Sequence, residues 1–341
     1  MGENQGGHDV FVVPLMASLE LACWCCYRAD VMTNSSEITR AVKLLREGGL
    51  VAFPTETVYG LGADATNDRA VARIFAAKSR PQFNPLISHV ADVEAAMQLG
   101  EFPAAAEKLA RQFWPGPLTL VVKRRRDCPV SLLTSAGLDS LALRVPDHAM
   151  ALALLGEVGR PVAAPSANRS GQISPTTAGH VMKSLGTVVD LVLDGGACAV
   201  GLESTVVQFM DGKARLLRLG GLDRTVLEAV MGRAFDPVEA LSPLHGPGQL
   251  ESHYAPRAAM RLNAPSPLLG ETYIGFGVYR GGPFSLSESG DLQEAAANLF
   301  RIMHEADGLG GEMIAVAPVP SVGLGEAIND RLRRAAAPRA R

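Results

Sequence analysis

A chain of 341 residues with 47% apolar and 20% charged side chains exceeds what one hydrophobic core usually serves, so it reads as two α/β domains of unequal size. A formal charge of −3 gives no global attraction for nucleic acid, which would need a basic face or stripe. Five cysteines, three of them crowded at Cys23, Cys25 and Cys26, form neither a disulfide framework nor a four-ligand zinc spacing, and fit a reducing, cytoplasmic setting. No apolar run reaches the roughly 18 residues that a membrane span requires.

Residues 1–31 combine a Gly-rich start with an aperiodic Trp/Cys cluster and are expected to be a poorly ordered extension, Met32 offering a second start. Asn34, Ser35 and Ser36 are N-cap candidates for a helix through Arg46, stopped by Gly48-Gly49. Residues 50–53 form a continuous apolar run, the mark of a strand buried on both faces, and Pro54 ends its ladder. Ligands gather at such strand ends in open α/β sheets, and the polar turn Thr55-Glu56-Thr57 follows at once.

Thr66 or Asn67 can cap the next helix, in which Val71, Ile74, Phe75 and Lys78 share one face. Lys78 therefore lies on the buried side and must either snorkel out or reach a polar cleft. Arg80 precedes Pro81, which holds the backbone extended past the helix. Two cations at one helix exit call for an anion, and a triphosphate is a sharper reading than solvent and salt.

Further strands are expected over 86–90 and 118–122, with a helix over 104–114 between them. In the alternating segment 140–145, Ser140, Ala142 and Arg144 share one strand face. Residues 161–168 run from strand into loop and point Ser166 and Asn168 the same way if the loop stays extended. Ser174-Pro175 reads as the N-cap and first residue of a helix ending near Leu185, and a serine at a helix N-terminus equally suits phosphate. Strands follow over 188–193, 204–209 and 214–219, the last carrying Arg218.

Residues 235–256 shift to Pro, Gly, Ser and His and read as a linker. Strand, helix, strand and helix then alternate over 273–278, 292–306, 313–316 and 326–336, as in a small parallel α/β unit. The boundaries drawn are an extension over 1–31, a first domain over 32–232, a linker over 233–259 that crosses the site, and a second domain over 260–341. The basic run 123–126 reads as a solvated turn, and Arg331, Arg333 and Arg334 as a solvated helix face.

The sequence has no P-loop, no strand-linked GxGxxG, no GxSxG elbow and no HExxH, so nucleotide binding would rest on dispersed side chains. PTETVYGLG at 54–62, KSRPQFNPLISHV at 78–90, WPGPLT at 114–119, LALRVP at 141–146, APSANRSG at 164–171 and GLESTVV at 201–207 are similar to motifs of the YrdC-like threonylcarbamoyl-AMP synthases. That resemblance covers residues 36–222. HYAP at 253–256 and GLGEAINDRLRRAA at 323–336 resemble the long two-domain form of the family.

The resemblance implies a large YrdC-like domain with a twisted mixed sheet and a concave active-site cleft, plus a smaller C-terminal Rossmann-like α/β domain. It implies a nucleotidyltransferase that makes L-threonylcarbamoyl-AMP and pyrophosphate from L-threonine, bicarbonate and ATP. The product would pass to a separate complex that modifies the tRNA adenosine beside the anticodon, with a weak tRNA contact and no membrane. Family positions set threonine against Thr57, His89, Arg144, the Ala164 backbone and Ser204. They set ATP against Lys78, Arg80, Asn84, Ser140, Ser166, Asn168, Ser174, Arg218 and Tyr254, with Lys78 and Arg80 in the catalytic roles. Mg²⁺ is implied with the triphosphate, held by phosphate oxygens and water rather than by a protein metal site.

Two other classes compete. A hydrogenase-maturation carbamoyltransferase would be expected to add an acylphosphatase-like region and Cys-pair zinc fingers, and neither is visible. A non-catalytic RNA-binding module would use the same concave, locally basic face.

Overall fold

In α1 (Ser35–Arg46) the apolar residues recur at helical spacing, so Ile38, Ala41, Val42 and Leu45 are buried together. The computed structural model describes residues 35–81, 83–237 and 253–338. The expected extension over 1–31 and most of the expected linker lie outside those residues.

The fully buried β1 (Val51–Phe53) pairs antiparallel with β2 (Gly60–Asp64). This second strand has no counterpart in the periodicity of the sequence, because glycines hide it. A Cβ at Gly62 would stand 2.8 Å from the Phe53 ring, so only glycine lets the pair close. Helix α2 (Asp68–Lys78) is capped by the Asn67 side chain, which accepts the N–H of Arg69 and Ala70. Next come β3 (Ile87–His89), α3 (Val93–Met97), β4 (Gly100–Glu101), α4 (Ala104–Phe113), β5 (Leu118–Arg124) and β6 (Ser140–Arg144). Helix α5 (Ala149–Val158) leads to β7 (Val162–Ala163), and α6 (Ala178–Leu185) to β8 (Leu191–Val192), β9 (Thr205–Met210), β10 (Lys213–Arg218) and α7 (Arg224–Met231).

The ten strands form one sheet in the order β10-β9-β5-β6-β3-β7-β2-β1-β8, with β4 on β5. Pairing is mixed: β3 with β6, β5 with β9 and β1 with β8 run parallel, and the rest antiparallel. A second sheet is wholly parallel, built from β11 (Ala259–Arg261), β12 (Thr272–Gly275), β13 (Phe284–Ser285) and β14 (Met313–Val316) in the order β11-β14-β12-β13. Its core comes largely from α8 (Leu292–Gly308), which buries Leu299, Phe300, Ile302 and Met303, and from Ile328 and Leu332 of α9 (Leu324–Ala336). The expected class, a large mixed α/β sheet beside a smaller parallel α/β unit, is the one observed. Among the described residues no helix is long and apolar enough to cross a membrane.

Three local expectations are corrected. Helix α6 starts at Ala178 with Thr177 as its N-cap, so Ser174 caps nothing and is free for another partner. The basic run at 123–126 is not a solvated turn throughout, since Lys123 and Arg124 continue β5 and Arg124 turns inward to donate to the carbonyls of Cys128 and Val130. Arg331 is not on a solvated face.

It is fully buried, its Nε donating to Glu203 Oε2 at 2.9 Å and its Nη2 to the Leu219 carbonyl at 2.8 Å. The guanidinium also lies 5.3 Å from the centroid of the Tyr254 ring, which stacks on Phe300 at 5.4 Å. The chain after β10 fits beneath this contact because Gly220 has no side chain, a Cβ there standing 2.3 Å from the Glu203 carbonyl. Arg331 thus fastens α9 to the segment that leads into β9. Replacing Arg331 by Met strands Glu203 in a dry site and should lower unfolding free energy by about 3–5 kcal/mol. Arg333→Ala, at a side chain that is 71% exposed, should stay within about 0.5 kcal/mol in the same urea titration.

Candidate active site

Strand register assembles the site. In the parallel pair β3–β6, His89 stands opposite Arg144, and in the antiparallel pair β3–β7 it stands opposite Val162. The chain then leaves β7 through Ala164, Pro165 and Ser166, whose segment faces β2 across the Gly60–Ser166 bridge. From the other side, the Ser204 hydroxyl meets Thr119 Oγ1 at 2.7 Å just before β9, and Arg218 at the end of β10 donates to the Ser204 carbonyl at 2.8 and 3.0 Å.

Of the expected site residues, Arg80, His89, Arg144, Ala164, Ser166, Ser204, Arg218 and Tyr254 line one cavity. Thr57, Lys78, Asn84, Asn168 and Ser174 are buried but do not line it. Ser140 lies at the opposite end of β6 from Arg144, about 13 Å along a strand. Lys78 does not snorkel: its Nζ donates to the carbonyls of Ser166 and Asn168 and so braces the loop that follows β7. Arg80 bends back onto the carbonyls of Asn84 and Pro85 at 3.3 and 3.2 Å. The cavity as it stands measures about 50 Å³, with His253 and Tyr254 in its wall. Sites for ligands of nucleotide size need about 300 Å³ or more. The cavity as it stands is therefore smaller than a nucleotide, and Tyr254 is part of the wall that limits it.

The electrostatics follow from crowding of cations in a dry place. Burial, and then the charge of Arg80, pull the Lys78 ammonium well below its ordinary value. Burial and the nearby Arg218 bring Arg80 down to about 10. Burial, helped by Arg144, takes His89 down to about 3, so its imidazole is neutral at pH 7. Glu203 is the counterweight. Burial alone would raise its carboxyl, yet Arg331 and Arg218 hold it at about 2.

Sequence reasoning gave no site role to Glu203 or His253, placed Glu56 only within a polar turn, and read Arg331 as solvated. Glu203 Oε1 accepts the Ser174 hydroxyl at 2.6 Å, which is the partner Ser174 gains by not capping a helix. Glu56 pairs with Arg144 at 2.7 Å. The available signal was a carboxylate placed inside an otherwise buried run, in GLESTVV and in PTETVYGLG. Several buried acceptors have no hydrogen-bond partner among the described residues, including Asn84 Oδ1, Asn168 Oδ1 and His89 Nδ1. Among the described residues no group of three or more His, Cys, Asp or Glu stands close enough to hold a metal ion.

His253 shares the depression of His89 down to about 3, again mainly through burial. Unfolded histidine titrates near 6.5, so between about pH 6.5 and 3 the unfolded chain binds more protons than the folded one. The stability these neutral imidazoles contribute is complete above about pH 6.5 and is lost as pH falls. Burial depresses His180 to about 4 and His304 to about 3 in the same way, so urea titrations at pH 7, 6 and 5 should show a progressive loss of several kcal/mol by pH 5, and His253→Asn should remove about a quarter of it.

Residues 43–220 match the family model described as Telomere recombination (Sua5/YciO/YrdC), and residues 223–337 match the one described as Threonylcarbamoyl-AMP synthase, C-terminal domain. The chain is 40% identical over 333 residues to the threonylcarbamoyl-AMP synthase of Bacillus subtilis, covering 90% of this chain and 95% of that protein. It is 40% identical over 320 residues to the threonylcarbamoyl-AMP synthase of Pyrococcus abyssi, covering 88% and 94%. The crystal structure of P. abyssi Sua5 complexed with L-threonine superposes with a TM-score of 0.81, covering 88% of this chain and 94% of that one. The chain therefore belongs to the Sua5/YciO/YrdC family, and within it to the threonylcarbamoyl-AMP synthases that carry the additional C-terminal domain.

Proposed function

We propose that the chain condenses L-threonine, bicarbonate and ATP into L-threonylcarbamoyl-AMP and pyrophosphate. The observation that carries this reading is one buried cavity in which Arg144 and neutral His89 meet at paired strand ends while Arg80 and Arg218 face them. Such a site suits one small amino acid beside one polyphosphate.

Arg144 takes the threonine carboxylate through charge-assisted hydrogen bonds, with Thr57, His89, the Ala164 backbone and Ser204 around the amino acid. His89 carries no charge at pH 7 and so does not repel the substrate ammonium. Lys78, Arg80, Asn84, Ser140, Ser166, Asn168, Ser174 and Arg218 serve ATP, and Tyr254 closes over it. Magnesium arrives as MgATP, ligated by phosphate oxygens and water.

The threonine ammonium gives up a proton to solvent, and the amine then attacks the bicarbonate carbon, forming the N–C bond as a C–O bond breaks and water leaves, to give a carbamate. A carbamate oxygen then attacks the α-phosphorus, and the bond to the oxygen that bridges the α- and β-phosphates breaks as pyrophosphate departs. Both steps need alignment and neutralised charge more than a side-chain nucleophile, which accords with a site of buried cations and neutral acceptors. The product passes to a separate complex that transfers the threonylcarbamoyl group to the tRNA adenosine beside the anticodon. Direct contact with tRNA is weak, in keeping with a formal charge of −3, and the setting is cytoplasmic.

The test is pyrophosphate release from ATP, which should require both threonine and bicarbonate. RNA binding without such release would overturn the reading in favour of a non-catalytic module. Arg80→Ala should cost about 2–5 kcal/mol of transition-state stabilisation, read as the fall in kcat/KM for ATP. Pyrophosphate release at the wild-type rate from that variant would remove Arg80 from the site.

A further inference from the structure

Five buried cations, Lys78, Arg80, Arg144, Arg218 and Arg331, stand in and around the cavity with two buried carboxylates, Glu56 and Glu203. The carboxylates are not shared evenly. Among the described residues Lys78 and Arg80 donate only to backbone carbonyls. Arg144, by contrast, has Glu56 Oε1 2.7 Å from its Nη2.

Glu56 is 6% exposed and does not line the cavity, so it stands behind Arg144 rather than beside the substrate space. It is held from several directions. Its Oε2 accepts the Asp147 N–H at 3.1 Å, and its own carbonyl accepts the Val200 N–H at 2.7 Å. The Thr55 hydroxyl accepts the N–H of both Thr57 and Val58 and so knits the turn that carries Glu56. On the other side, Arg144 Nε donates to the Gly116 carbonyl at 3.3 Å. Glu56 meets Nη2 outside hydrogen-bonding direction, and that nitrogen has no hydrogen-bond partner among the described residues. Charge is offset from behind, and of the guanidinium nitrogens Nε is spent on the Gly116 carbonyl while Nη2 is not spent on a hydrogen bond.

We propose that Glu56 is a positioning residue for the amino-acid substrate: it orients the Arg144 guanidinium and offsets much of its charge, so that Arg144 takes a monocarboxylate and leaves polyphosphate to the other cations that line the cavity, Arg80 and Arg218. An arginine with no carboxylate nearby is a strong bidentate ligand for phosphate as well as for carboxylate. In a cavity lined by Arg80, Arg144 and Arg218, a triphosphate or a departing pyrophosphate would otherwise settle across Arg144 and block threonine. A carboxylate in contact with the guanidinium removes this option at modest cost to a singly charged ligand. Discrimination thus comes from a repulsive element placed behind an attractive one.

The inference rests on the proposed function, and its test separates the two. Threonine binding is measured by calorimetry, and pyrophosphate release by steady-state kinetics, for the wild-type chain, Glu56→Gln and Glu56→Asp. Glu56→Gln should raise both Kd and KM for threonine about tenfold while KM for ATP stays within about twofold. Inorganic pyrophosphate, added as the probe, should become competitive with threonine and inhibit more tightly. Glu56→Asp, which keeps the charge on a shorter arm, should fall between wild type and Gln. Threonine and ATP constants that move together, or unchanged pyrophosphate inhibition, would overturn the proposal. If Glu56→Gln does not fold, Glu56→Asp decides by the same pattern at smaller amplitude. If the wild-type chain binds threonine but releases no pyrophosphate, the proposed function fails, and calorimetric competition between threonine and pyrophosphate still judges Glu56.

Discussion

Burying several cations in one place is the constraint on which the rest of this structure depends. A lone buried charge costs several kcal/mol, and the protein meets that cost in three different ways. Lys78 and Arg80 are solvated by carbonyls that the backbone supplies at a helix exit and at the loop after β7. Arg144 and Arg331 are matched to carboxylates from distant parts of the chain. His89 gives up its charge altogether. The same residues that make the cavity attractive to anions therefore make its walls, and removing one group alters both function and fold.

This constraint explains why the large sheet is mixed rather than parallel. Parallel pairing of β3 with β6 puts His89 and Arg144 side by side, and antiparallel pairing of β3 with β7 turns the chain back so that residues 164–166 return across the same end. A wholly parallel sheet would send every strand end to one edge but would not fold the loop after β7 down over Lys78. The short strands are part of this economy. A two-residue β7 is long enough to set register and short enough to release the loop where its carbonyls are needed.

Much of this was legible in the residues and some was not, for physical reasons. Helical periodicity carried α1, α2 and α8, and Lys78 on an apolar face announced a polar destination inside. Glycine-rich β2 escaped because its burial depends on the absence of side chains, which periodicity cannot register. Ser174 looked like a cap because Ser-Pro commonly opens a helix, but the helix starts at Ala178 and the hydroxyl turns to Glu203 instead. Arg331 looked solvated for a related reason. A basic cluster on a helix says nothing about a carboxylate 128 residues away, and only tertiary packing separates Arg331 from its exposed neighbour Arg333. Glu56 and Glu203 were visible as letters beside hydroxyl residues at strand ends, yet their partners were not.

The distance in sequence between Glu203 and Arg331 has a consequence for how the molecule is made. A ribosome finishes Glu203 128 residues before Arg331, and over that stretch the carboxylate has Arg218 nearby but not its direct ion-pair partner. Burying it early would leave the carboxylate with the Ser174 hydroxyl and the nearby Arg218 but without the Arg331 ion pair, a cost that the docking of α9 removes. Tyr254 rests on both Arg331 and Phe300, so the same docking brings its ring both partners. The wall that Tyr254 gives the cavity is thereby tied to α9 by the same arginine that neutralises Glu203.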